Sequence, residues 1–325
     1  GTGGIAVKDT RYAYAVANVR ARENELLSGS AFEQLVSSEN LNETLNLLVD
    51  KGILDSAENE RAVAVIESRM TDVWDYLCEI SPNRVLLNFL VVPNDYHNLK
   101  TSLKAIVSRA DDTAYFIKPC LLPPESIYNA VSAKKFAELP THLEKAAADG
   151  YDILTSTADG QLLDVTIDRY SLKAMCDMAR GDEFTEMLTQ EMTALYDFKI
   201  ALRAASTKAS DVVCSAALCD CEKTDVSALK NAALRGVEHV KNIILESGYS
   251  DLEDSDDFSE FEKACDNRIL RLLNDSSTVS FGIEPLVAYY FRKSAEVQNL
   301  RLIINAKHAG LPQEIIRERM REIYV

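Results

Sequence analysis

Three cysteines fall close together, Cys214, Cys219 and Cys221, and a group of that kind invites a metal or redox reading. A structural zinc site asks for four ligands, as two Cys pairs two to four residues apart or as Cys with His. Here the nearest histidine is His239, and the intervals do not fit. With seven cysteines in all, an odd number without framework spacing, free thiols behaving as small apolar residues are expected, in a reducing compartment. The four histidines (His97, His142, His239 and His308) lie far apart, with no His-Glu-x-x-His and no nucleophile elbow beside them. The acidic run Asp251 to Glu260 lacks the central glycine and terminal bidentate Glu of a calcium loop, and reads as a solvated lead-in to a helix. No glycine-rich phosphate loop of either common kind is present, so backbone amides for a nucleotide are missing as well. We therefore expect no catalytic residue, no cofactor and no bound metal.

What does recur is a polar, apolar, basic triplet: Asn18-Val19-Arg20, Asn98-Leu99-Lys100, Asp197-Phe198-Lys199 and Asn299-Leu300-Arg301. Two readings of it stand side by side. The amide or carboxylate can bond neighbouring backbone and anchor one block to the next, as buried polar groups usually do. Alternatively, equivalent positions place Asn18, Arg20, Asn98, Lys100, Asp197, Lys199, Asn299 and Arg301 where a partner meets them.

The elements that carry these triplets are helical. Val63, Ile66, Met70, Val73 and Leu77 step by three and four, as do Leu163, Ile167, Tyr170, Ala174 and Met178, and again Phe258, Phe261, Cys265, Ile269 and Leu272. Helix starts are marked by Asn40 with Glu43 three residues on, by Pro312 at a first helical position, and by acidic residues at Asp254 to Asp257. Strand signals are thin: Val85 to Val92 and Tyr115 to Ile117 are short apolar runs without alternation, and no Asn-Gly or Asp-Gly turn occurs. Glycines Gly52, Gly150 and Gly248, each 98 residues from the next, follow helical runs and are expected to cap them. From triplet to glycine is 34 residues in the first copy, 52 in the second and 51 in the third.

The pattern predicts an all-α fold in which the abbreviated first block and the truncated last one pack together, closing three similar helical repeats into a ring or funnel. The expected divisions are 1–84 for a short first repeat, 85–181 for the second, 182–280 for the third, and 281–325 for a half-repeat closing onto the first. A net charge of −16 excludes a nucleic-acid binder and direct adsorption to anionic lipid, and suits a basic partner surface. The longest dense apolar run, Val85 to Val92, is far short of the roughly 20 residues that cross a bilayer, so any membrane link is expected to pass through another protein of an assembly.

Three stretches carry a family resemblance: YAYAVANVRARENELLSGSAFEQLVSSENLNETLNLL (Tyr12 to Leu48), NDYHNLKTSLKA (Asn94 to Ala105) and EVQNLRLIINAKHAGLPQEIIRERMREIYV (Glu296 to Val325). They resemble the C-subunit family of bacterial and archaeal V-type (A/V-type) ATP synthases, related to the d-type subunit of the eukaryotic vacuolar ATPase. The likeness runs through essentially the whole chain in order, with Asp197 standing where Asn is common. The resemblance implies three similar helical repeats around a pseudo-threefold axis forming a funnel or socket, and a non-catalytic, monomeric rotor adaptor of the central stalk, one copy per complex, on the cytoplasmic face of the plasma membrane. Its implied partners are the membrane proteolipid ring (c/K-type) subunits and the central shaft subunits of D and F type, in a machine for proton or sodium transport. The rival readings are a free-standing helical-repeat scaffold that binds peptides or protein partners and, more remotely, a metal-dependent helical hydrolase.

Overall fold

In the computed structural model, residues 10–109, 115–252 and 257–322 are described. Among them the chain forms fifteen α-helices: α1 (Tyr12–Glu23), α2 (Gly29–Val36), α3 (Leu41–Asp50), α4 (Asn59–Ile80), α5 (Val92–Ser108), α6 (Pro124–Ser132), α7 (Thr141–Thr157) and α8 (Gly160–Met178) come first. There follow α9 (Glu183–Thr207), α10 (Asp211–Ala217), α11 (Val226–Arg235), α12 (Val237–Glu246), α13 (Phe258–Ser276), α14 (Glu284–His308) and α15 (Gln313–Arg319). The one β-type pairing among the described residues is an isolated bridge between Cys221 and Thr224, so the fold is all-α.

Two compact units are formed, one of Gly1–Arg84 with Asp266–Val325 and the other of Val85–Cys265. In the first, α14 is the core helix. Buried residues lie on nearly every side of it, Leu286, Val287, Tyr289, Leu300, Ile303 and Ile304 among them, the mark of a helix surrounded by others. It packs against α1, α3, α4 and α15. From α4 come Ile66, Met70, Val73 and Leu77, joined by Ala62 and Trp74, while Val63 is only half-buried at the edge of the stripe. Polar links also join the early and late segments of this unit. Lys307 Nζ donates to the carbonyls of Val36 (2.7 Å) and Ser38 (2.5 Å), closing the C-terminus of α2, where a cation complements the helix dipole. The Arg317 guanidinium grips Glu33 through Nε and Nη2, and holds that carboxyl below its usual range.

The second unit has two centres. One is α5 with α6, α7 and α8 around it, and the other is α9 with α8, α10, α11 and α12. The apolar run at 85–92 is a short 3-10 helix, Val85–Leu90, leading into α5, and it buries Leu86, Leu87, Phe89 and Leu90. In α13, Phe261, Cys265, Ile269, Leu270 and Leu273 are buried, so the stripe read from sequence continues on Leu273 rather than on the half-buried Leu272.

Helix ends follow the local code with two corrections. Asn40 Oδ1 accepts from the Glu43 amide at 2.9 Å, and Glu43 reaches back to the Glu39 amide at 2.6 Å. Pro312 is the cap of α15 rather than its first residue. Asp254 to Asp256 lie outside the described residues, while Asp257 accepts from the Ser259 amide at 2.9 Å. Gly52 (φ +73°) and Gly248 (φ +93°) do adopt the left-handed conformation just past α3 and α12. Gly150 does not end a helix; it sits inside α7. A Cβ there would stand 2.7 Å from Leu103 Cδ1 and 3.0 Å from Leu163 Cδ1, so the bare backbone is what lets α7 lie close on α5 and α8. This middle glycine of the series thus serves packing in place of capping.

Gly150→Val is expected to destabilise the protein by about 1–3 kcal/mol through overpacking. Gly160→Ala, at an open site on α8, should stay within about 0.5 kcal/mol of the parent. Chemical denaturation of both variants measures this.

Candidate functional site

The four triplets lie on corresponding helices, α1, α5, α9 and α14, and their middle residues, Val19, Leu99, Phe198 and Leu300, are all buried. With that residue fixed inward, the polar residue before it is set by helix geometry, and in three of four copies it is buried too: Asn98, Asp197 and Asn299. What each one meets is a residue of non-helical backbone about twenty positions further on.

Asn98 Nδ2 donates to the Ile117 carbonyl at 3.0 Å, while its Oδ1 accepts from the Ile117 amide at 2.8 Å. Asn299 makes the same two-way pair with Arg321, donating at 3.2 Å and accepting at 2.9 Å. Asp197 Oδ1 accepts from the Cys219 amide at 2.9 Å. A carboxamide is a peptide group in miniature, so it satisfies both backbone groups of one residue that no helix or sheet provides for. The third and fourth copies match further. Each triplet helix is followed by a seven-residue helix, α10 or α15, whose C-cap is extended and whose next residue is the clamped one.

The first copy lacks this segment. Asn18 Oδ1 instead accepts from the Tyr76 hydroxyl, and Nδ2 donates to Tyr14 Oη at 3.3 Å. Its triplet-to-glycine interval is 18 residues below that of the second copy (34 against 52), which is about the length of a short helix and the clamp beyond it.

The basic members of the triplets lie nearer the surface. Lys100 pairs with Asp168 of α8 at 2.7 Å, and Arg301 with Glu67 of α4 at 3.0 Å. One turn further along, Lys104 pairs with Asp164 at 2.6 Å and Arg203 with Glu262 at 3.6 Å. Arg20 donates to the carbonyls of Ser277, Thr278 and Val279 at 3.2–3.4 Å, just beyond the C-terminus of α13. Lys199 is half-buried on α9, without a hydrogen bond or ion pair to a described residue. Such partly exposed pairs contribute about 0–1 kcal/mol each.

Sequence reading missed a second set of buried acids one helical turn before two of the clamps. Asp95 Oδ1 accepts from the amides of Leu121 (2.9 Å) and Leu122 (3.3 Å). Glu296 Oε2 accepts from the Leu27 amide at 2.9 Å, while Oε1 takes Lys293 at 2.9 Å, with Arg69 at 3.9 Å. The signal was present as an acid three residues before Asn in Asp95-x-x-Asn98 and Glu296-x-x-Asn299, a spacing that puts both groups on one helix face.

The remaining candidates do not assemble. Cys214, Cys219 and Cys221 are free thiols, burial raises all three, Cys219 to about 12, and no group of described residues could hold a metal ion. A thiol held protonated is neither a ready ligand nor a nucleophile. His97 Nε2 meets the Tyr115 carbonyl at 3.2 Å and is lowered by burial. His308 Nδ1 lies 3.3 Å from Asn59 Nδ2, and His142 Nε2 stands 4.0 Å from Asp95 Oδ2. No described helix is long and apolar enough to cross a membrane.

This geometry is that of an all-α protein whose recurring polar residues hold its own non-helical segments. Its family follows from comparison: the chain belongs to the ATP synthase (C/AC39) subunit family, whose sequence pattern matches residues 15–319. It is similar to the C subunit of the V-type sodium ATPase of Enterococcus hirae, at 23% identity over 94% of this chain and 97% of the relative. It is also similar to the C subunit of the A-type ATP synthase of Methanobrevibacter smithii, at 24% identity over 94% of this chain and 86% of the relative. That of Halobacterium salinarum is similar too, at 26% identity over 95% and 97%. The chain thus stands with the C subunits of V/A-type rotary ATPases.

Asn98→Ala or Asn299→Ala leaves a half-buried amide and carbonyl unpaired together and should cost about 1–3 kcal/mol. Lys100→Ala and Arg301→Ala should each cost under about 1 kcal/mol. Urea unfolding of the four variants separates the two classes.

Proposed function

We propose that this protein is the non-catalytic adaptor of the central stalk, seated on the membrane proteolipid ring and receiving the foot of the shaft subunits of D and F type. In this reading the three repeats close about a pseudo-threefold axis into a socket, with one copy per complex at the cytoplasmic face of the membrane. The adaptor transmits torque for proton or sodium transport and makes or breaks no bond itself. The observation that carries the reading is the family match across residues 15–319, with relatives that cover nearly the full chain.

The physics of the fold supports it. Torque passes through a body that does not yield, and close-packed interiors are poorly compressible. Loops are where a helical body yields first, and here the segments at Ile117, Cys219 and Arg321 are each tied to a core helix. The acidic balance suits docking to basic partner surfaces, with charge acting mainly on the rate and register of encounter.

A density map of the intact complex tests the placement: it should show one copy of this chain between ring and shaft, its three repeats around the shaft foot. Finding the chain on the stator or on the outer rim of the head would overturn the reading. In solution, the purified chain should show no ATP turnover above buffer, and its association with the isolated shaft should slow as ionic strength rises. Turnover that co-purifies with the chain and responds to its mutation would contradict it.

A further inference from the structure

The third clamp differs from the second and fourth copies by one functional group. Asn98 and Asn299 accept through Oδ1 and donate through Nδ2 to a single residue's backbone. Asp197 accepts from Cys219 through Oδ1, but its Oδ2 is sealed from solvent with no hydrogen-bond partner. An ionised carboxylate in that state has lost its water and gained one donor where it needs several.

No cation among the described residues pairs with it. From the turn it holds come Asp220, Cys219 and Cys221, and from its own helix comes Tyr196. From α8 come Asp168, facing Tyr196 and already paired with Lys100, Cys176, facing Cys219, and Arg169, whose carbonyl meets the Cys219 thiol at 4.0 Å while its guanidinium donates to the Ser215 carbonyl at 3.4 Å. Helices α10, α11 and α12, which also pack on α9, add no charged group to this set. Lys199 is two positions along α9 and so points to another side of the helix. Apart from Arg169, whose guanidinium is bonded to the Ser215 carbonyl, every group in the set is an acid. Burial foremost, with Asp220 adding to it and the Cys219 amide opposing, pushes the Asp197 carboxyl up to about 8.

We propose that Asp197 is a proton-binding site: its protonated carboxyl completes the third clamp by donating from Oδ2 toward the Cys219 carbonyl, as Asn98 and Asn299 donate from Nδ2. The proton converts an acceptor into the donor–acceptor pair that the other clamps build from an amide. Losing it leaves a carboxylate against a carbonyl oxygen, and the turn at Leu218–Asp220 loosens. The third clamp is then pH-sensitive, where those at Ile117 and Arg321 are not. This inference stands on the comparison of clamps within the chain and is independent of the rotary reading.

The sign follows from linkage. The folded carboxyl binds its proton more tightly than the unfolded one, whose value is 3.8. The stabilising contribution is therefore full below about pH 4, is lost as pH rises to about 8, and is flat above that.

The full-length chain and Asp197→Asn, which installs the amide of the other clamps, are melted between about pH 5 and pH 9. The melting temperature of the variant minus that of the parent should rise steadily up to about pH 8 and then level. An offset that stays constant, or falls with pH, overturns the proposal. Infrared spectra of the unmutated chain supply a readout that needs no variant to fold. A protonated-carboxyl C=O band should persist at about pH 6 and disappear by about pH 9, and its absence at pH 6 overturns the proposal outright.

Discussion

The structure depends on one recurring interaction: a buried side-chain carboxamide or carboxyl on a core helix that satisfies the backbone of a residue lying outside any helix. In a chain with no sheet among its described residues, backbone groups between helices have three choices, which are water, a helix cap, or a side chain. Ile117 and Arg321 take the third, pairing both amide and carbonyl with one Asn. Asn98 and Asn299 are themselves buried, so the cost of leaving their own amides and these half-buried backbone groups unpaired fixes them more than any strength of the bonds. The cations two positions later are held only by pairs near the surface, so they can be exchanged or redirected at little cost.

This division of labour explains how one block is repeated without being copied. The apolar middle residue orients the helix, the polar residue before it clamps, and the basic residue after it ties the helix to a long neighbour, α8 for Lys100 and α4 for Arg301. The first triplet has no clamped segment. Its Asn18 turns to Tyr76, and the backbone of its loop is taken over by Glu296, a residue 269 positions away. Glu296 is itself neutralised by Lys293, with Arg69 beside it. A buried ion pair of this kind adds little net stability, and its use here is to hold the incoming amide of Leu27 in one place.

Much of this was legible in the sequence, and the rest was hidden for definable reasons. The helical class, the stripes on α4, α8 and α13 and the cap at Asn40 follow from local periodicity and local chemistry, which one chain segment carries by itself. The triplets were visible as a repeat, yet their inward direction was not, because a residue's partner lies about twenty positions away in backbone that has no periodicity of its own. Asp95 and Glu296 escaped notice since a lone acid on a helix usually faces water. Gly150 was misread because glycine at a helix end and glycine at a close crossing look alike until the neighbours Leu103 and Leu163 are placed. Likeness to relatives names the assembly; the clamps say what the fold supplies to it.

Amide hydrogen exchange at Ile117 and Arg321 tests the central claim most directly. Neither residue belongs to a helix or a strand, so their protection can come only from the clamps. The account predicts that both amides exchange orders of magnitude more slowly than unstructured backbone, and that Asn98→Ala or Asn299→Ala frees only the amide it held. Exchange at both sites as fast as in an open loop, with the helices α5 and α14 still protected, would contradict it.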